Sequence, residues 1–91
     1  MLGVGDIVLS KKGRDKGKYF LVVRIVDNIA YIVDGKNRKV TALKKKNVKH
    51  LESVFVAILK DIATNIDNGV AVGNERVFRA IKTLVKNKQE D

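Results

Sequence analysis

The sequence predicts an α+β protein, a small five-stranded β-barrel followed by a two-helix C-terminal hairpin. Three observations carry this. Short runs rich in β-branched and aromatic residues, separated by turn residues, fill the first half. Beyond residue 51 the hydrophobic period changes from that of a strand to that of a helix. No proline or low-complexity stretch separates the halves, so the helices are expected to pack on the barrel.

In order along the chain, Ile7–Leu9 is a short apolar run after Gly5-Asp6. Tyr19–Val26 is the strongest strand signal, punctuated by Asp27-Asn28, and Ile29–Val33 follows, closed by the Asp34-Gly35 turn. Arg38–Leu43 is predicted to pair back, with Val40 and Ala42 inward and Lys39 and Thr41 outward. After the polar stretch LKKKN, Val48–Leu51 supplies the last short strand. Five short strands in so few residues predict a closed or nearly closed barrel, which also removes exposed edges. Phe55, Ile58, Leu59, Ile62 and Ile66 then share a helical stripe, with Ser53 as its expected N-cap and Asn68-Gly69 as its stop. After the turn VAVG, Asn74 is the expected cap of a second helix whose apolar face holds Val77, Phe78, Ile81, Leu84 and Val85. The tail NKQED is expected to fray. The chain thus divides at 1–51 (β module) and 52–91 (helical module).

Composition narrows the chemistry. With no Cys and one His (His50), disulfides, thiolate metal sites and a thiol nucleophile are excluded, and no zinc site is expected. No apolar run approaches the roughly 20 residues that cross a bilayer. The start MLGVGDIV has no basic segment and meets Asp6 at once, so a secretory signal is not expected and the cytoplasm is the predicted compartment. Charge is the most informative quantity. Residues 1–50 hold 13 Lys/Arg against 4 Asp/Glu, whereas residues 51–91 hold 6 against 6, so the whole net charge of +9 belongs to the first half. Cations confined to one module predict a polyanionic partner.

The stretch KKGRDKGK, Lys11–Lys18, concentrates this charge. It is not a nucleotide-binding P-loop. Gly13 and Gly17 stand one residue too close, Tyr19 occupies the place of the magnesium-binding hydroxyl, and a strand follows instead of a helix. Gly3-Val4-Gly5 is likewise too short for a dinucleotide fingerprint. His50 has no nucleophile–base partner near it in sequence, and Asp15, Asp27 and Asp34 sit in turn contexts that explain them without catalysis. No catalytic residues, cofactor or small-molecule substrate are predicted. Gly13 and Gly17 instead let the chain turn tightly while Lys11, Lys12, Arg14, Lys16 and Lys18 project around the turn. Two further basic clusters lie at strand connections: Lys36, Arg38 and Lys39 after the turn glycine Gly35, and Lys44, Lys45, Lys46 and Lys49 before the last strand. Tyr19 offers either a stacking surface or a core aromatic. Arg76, Arg79, Lys82 and Lys86 of the second helix lie opposite its apolar stripe, as on any soluble helix, so DNA reading by the helices is a minor alternative.

The run GDIVLSKKGRDKGKYFLVVRI, Gly5–Ile25, resembles a KOW motif: an opening Gly-Asp, an alternating strand, a G-x-x-K-G turn and a second strand. VDGKNRKV and KKKNVKHL extend the likeness, over about residues 3–51, to bacterial KOW-domain proteins akin to large-subunit ribosomal proteins of archaea and eukaryotes. Phe20 stands where many KOW motifs carry a further Gly, a pattern nearer the ribosomal branch than the transcription-elongation branch. The resemblance implies an SH3-like barrel that binds RNA, commonly ribosomal RNA, with the Gly13–Lys18 turn and neighbouring loops at the RNA-facing edge. It also implies ribosomal proteins as further partners. The alternative is a protein-interaction module of the transcription or translation machinery that docks through its helices.

Overall fold

The computed structural model describes residues 1–89. Strands β1 (Ile7–Ser10), β2 (Tyr19–Val26), β3 (Ile29–Val33), β4 (Lys44–Asn47) and β5 (Leu51–Phe55) form one antiparallel sheet in the order β4-β3-β2-β1-β5. A single 3-10 turn, Val48–His50, joins the two outer strands. Helices α1 (Lys60–Asp67) and α2 (Asn74–Gln89) follow. β4 and β5 do not pair, so the sheet is open and the predicted closure is not part of its hydrogen-bond ladder.

The alternation of side chains along β2 divides the core in two. Leu21 and Val23 join Ile7 and Val33 on the face covered by the helices, where Ala63 of α1 and Val77 and Ile81 of α2 complete the cluster. Phe20 and Val22 point the other way and meet Val8, Ala30, Ile32 and Leu51. A β-bulge between Val22 and Arg24 shifts the alternation, so Ile25 packs with the second cluster while Arg24 turns to the helix side and pairs with Asp67 at 2.7 Å. A second irregularity separates the pairs Ile7–Phe55 and Val8–Ser53. Phe20 is fully buried.

Three elements differ from the sequence reading. The fourth strand is not Arg38–Leu43 but the lysine run that follows it. The Ala42 N–H turns back to the Lys39 carbonyl, and the Val40 N–H is taken by the Asn74 side chain at 2.8 Å. Residues 48–50 form the 3-10 turn, and the last strand runs Leu51–Phe55, across the boundary placed at residue 51. The first helix accordingly starts at Lys60, and Phe55 lies in β5. Ser53 is no cap: its hydroxyl donates to Asp6 at 2.9 Å. Asp6 is buried and also accepts from the N–H groups of Gly3 and Ala57, at 3.0 and 2.7 Å, which ties β1 to the chain leaving β5. Asn68-Gly69 does end α1, with Gly69 at φ 78°. The carbonyl of Gly73, not Asn74, accepts the first hydrogen bonds of α2. That helix continues through Gln89, into the tail expected to fray, whose last two residues lie outside the described ones.

Two glycines mark where the helices meet the sheet. A β-carbon on Gly5 would lie 2.5 Å from the Lys60 Cα at the start of α1. One on Gly35 would lie 2.1 Å from the Asn74 carbonyl oxygen at the start of α2.

Candidate nucleic-acid interface

The loop between β1 and β2 is built by its own backbone. Gly13 and Gly17 adopt φ of 80° and 87°. The Lys16 N–H donates to Gly13 O at 3.1 Å and the Lys18 N–H to Asp15 O at 2.9 Å, two consecutive turns that splay the side chains. The Gly17 N–H closes the loop on Ser10 O, and the Lys11 N–H anchors it to His50 O at 2.8 Å. Lys12, Arg14, Lys16 and Lys18 are all exposed.

β4 docks against this loop. Lys44 and Lys46 pair with Ile32 and Ala30, whereas Lys45 pairs with Tyr31, so the lysine run splits between the two sides of the sheet. Lys46 Nζ donates to the Lys12 carbonyl at 2.6 Å. Lys44 forms an ion pair with Asp15, which is buried. That hydrogen bond from Lys44 holds the Asp15 carboxyl below its ordinary value, against the opposing effect of burial, and the charges of Lys44, Lys46 and Arg38 add to it. Lys45 instead stands over Tyr31, 5.7 Å from the ring centroid, with Arg24 at the same distance.

The sequence-named cations therefore fall into groups. The His50 imidazole is held below the ordinary 6.5 by burial first and then by the charges of Lys12, Lys49 and Lys46. Lys44 pairs with Asp15, and the charges of Lys46 and Arg38 act on the same carboxylate. Lys11 is paired with Glu52 at 3.2 Å, both side chains more than half exposed, an interaction worth little to stability. Lys36 and Lys39 turn instead toward the start of α2, beside Glu75 and Phe78. Gly35 has φ 78°, and the Asp34 side chain accepts from the N–H groups of Lys36 and Arg38, which fixes this second basic turn. Tyr19 is half-buried and packs against the helix-side core.

The sequence reading left His50 out of the site and kept Lys82 and Lys86 on the outer side of α2. His50 is placed by the 3-10 turn, which has no signature in an apolar pattern. Lys82 and Lys86 lie beside Val85 and Phe78 in a groove shared with Tyr19, whereas Arg76 and Arg79 are exposed and Arg79 pairs with Glu75 at 2.5 Å. No group of three or more His, Asp or Glu side chains able to hold a metal occurs among the described residues. Nor, among those residues, is any helix long and apolar enough to cross a membrane. No protein-family model matches the chain.

His50 gives the site a pH signature. Its folded-state pKa is lowered, so the unfolded chain binds the proton more readily, and stability rises with pH up to about 6.5 and falls below it. His50→Gln should remove that pH dependence from thermal denaturation while leaving the melting temperature at pH 8 nearly unchanged.

Proposed function

We propose that the protein is a non-catalytic RNA-binding protein of the KOW kind, acting in the cytoplasm on ribosomal or other structured RNA through phosphate contacts. The observation that carries this reading is the docking of two basic segments on each other: the Lys11 N–H donates to the His50 carbonyl and Lys46 Nζ to the Lys12 carbonyl. Two chain segments, the β1–β2 loop and Lys44–His50, thereby set their cations side by side. Lysines on a fixed backbone recognise phosphate spacing and helix shape more than base identity. The SH3-like barrel belongs to the same proposal. The second core cluster buries Phe20, Val22 and Ile32 completely although both helices pack on the opposite face. A sheet face without a helical layer buries its side chains by curling on itself, and the two bulges supply curvature. The docking-module alternative is weaker, because Ala63 of α1 and Val77 and Ile81 of α2 are already engaged in covering the sheet.

Cross-linking the protein to RNA in cells, followed by sequencing, tests the proposal. Ribosomal RNA should dominate the recovered fragments, and cross-links should map to the Lys11–Lys18 loop and to the segment Lys44–His50. Recovery of protein partners with no RNA enrichment would favour the docking module.

A further inference from the structure

Between the sheet and α2 lies an apolar groove of about 470 Å³. Its floor is formed by Tyr19 of β2 and by Phe78, Ile81 and Val85, which recur along one face of α2. Four lysines line it: Lys18 and Lys36 from the two basic loops, and Lys82 and Lys86 from α2. The Nζ atoms of Lys36 and Lys82 stand 5.6 and 5.9 Å from the Phe78 ring centroid. The carboxylate at the groove, Asp34, already accepts hydrogen bonds from the backbone N–H groups of Lys36 and Arg38. An apolar floor with two aromatic rings among four ammonium groups fits a ligand that is flat at its centre and anionic at its flanks.

We propose that this groove takes one unpaired nucleobase of the bound RNA, with the adjoining phosphates on Lys18, Lys36, Lys82 and Lys86. The inference rests on the RNA-binding reading above and deepens it. A regular duplex offers only phosphates and groove edges, whereas a bulged or looped nucleotide also offers a free π-face for Tyr19 and Phe78. Lys18 ends the β1–β2 loop and Lys36 belongs to the second basic turn. The groove thus shares a lysine with each of the two basic loops. An acidic amphipathic peptide would also satisfy the lysines. Two aromatic rings beside the basic loops favour the base.

The test uses two RNA hairpins, identical except for one unpaired 2-aminopurine in the stem of the second, each titrated with the full chain at fixed salt. The bulged hairpin should bind about tenfold tighter or better, and its fluorescence should be quenched on binding. Phe78→Leu, which keeps an apolar side chain but no ring face, should abolish both effects and leave the paired hairpin's affinity and salt slope unchanged. Should Phe78→Leu lower the melting temperature, Lys82→Gln/Lys86→Gln, on exposed side chains, gives an independent reading: it should weaken the bulged hairpin more than the paired one. If the paired hairpin binds with a steep salt dependence and the bulge adds nothing, the groove proposal falls and the RNA-binding reading stands. If neither hairpin binds, both fall. If an acidic peptide of Glu and Phe shifts the NMR signals of Phe78 and Ile81 while the bulged RNA does not, the groove is a protein-docking site and the proposal is overturned.

Discussion

Replacing Lys12, Arg14, Lys16 and Lys18 together with alanine should lower affinity for structured RNA about 10³-fold at 0.1 M salt, with little change in melting temperature. Neutralising four to six phosphates gives a slope of log K against log salt of roughly −3 to −5. Removing four contacts should flatten that slope by about 3, and lines that converge near 1 M salt then separate by about three decades at 0.1 M. Folding should tolerate the change because all four side chains are exposed and the loop is closed by backbone hydrogen bonds. Lys44→Ala provides the contrast. Its ammonium is already committed to Asp15, so its removal should destabilise the loop more than it alters the salt slope. Filter binding or fluorescence anisotropy over a salt series measures both variants, and an unchanged slope in the quadruple variant would sink the loop as a phosphate site.

The second large effect concerns the join between sheet and helix. Gly35→Ala should cost about 2–5 kcal/mol, combining a left-handed backbone with a steric clash. Its φ is 78°, and the added β-carbon would meet the Asn74 carbonyl oxygen at 2.1 Å and the Phe78 nitrogen at 3.0 Å. Neither is the end of a flexible side chain, so α2 must shift off the sheet. For a domain of this size the melting temperature should fall by about 10–30 °C. Gly69→Ala is the internal control. Gly69 has the same φ, but a β-carbon there meets nothing within 4 Å, so only the backbone cost of about 1 kcal/mol should appear. Urea or thermal denaturation of both variants measures the difference, which belongs to the contact with α2. Similar losses in the two would show that helix and sheet do not meet as closely as described.

Much of the fold was legible because it rests on local pattern. β2 and β3 fall on the predicted residues, since an apolar run bounded by Asp27-Asn28 and Asp34-Gly35 leaves the register little freedom. Two of the errors, at Val40 and Ser53, share a cause, a long-range partner. Val40 and Ala42 imitate a strand, yet the Val40 N–H is claimed by Asn74, 34 residues away. KKKN looked like a connection because lysine is poor in strand interiors, but an edge strand accommodates it. Phe55 kept helical spacing with Ile58 and Leu59 while lying at the end of β5, because a strand end followed by a helix start can reproduce that spacing by chance. Ser53 had the residue type of a cap, and only the burial of Asp6, 47 positions earlier, redirects its hydroxyl. Of the candidate site, the charges and the glycine turn were visible. Their partition was not, because Asp15, Glu52 and Tyr31 each engage a cation at a distance that sequence spacing does not encode.

The stitching of the Lys11–Lys18 loop has a kinetic consequence. Backbone bonds to Ser10 and His50, the Lys46 contact with the Lys12 carbonyl and the Asp15 ion pair hold the turn in one shape before any ligand arrives. Its conformational entropy is therefore lost during folding and not at the moment of encounter. Association then needs no loop rearrangement and is governed by diffusion in the protein's positive field, so the on-rate should be high and strongly salt-dependent. Complexes of such a surface form quickly at low ionic strength, and their lifetimes depend on what lies beyond the phosphates.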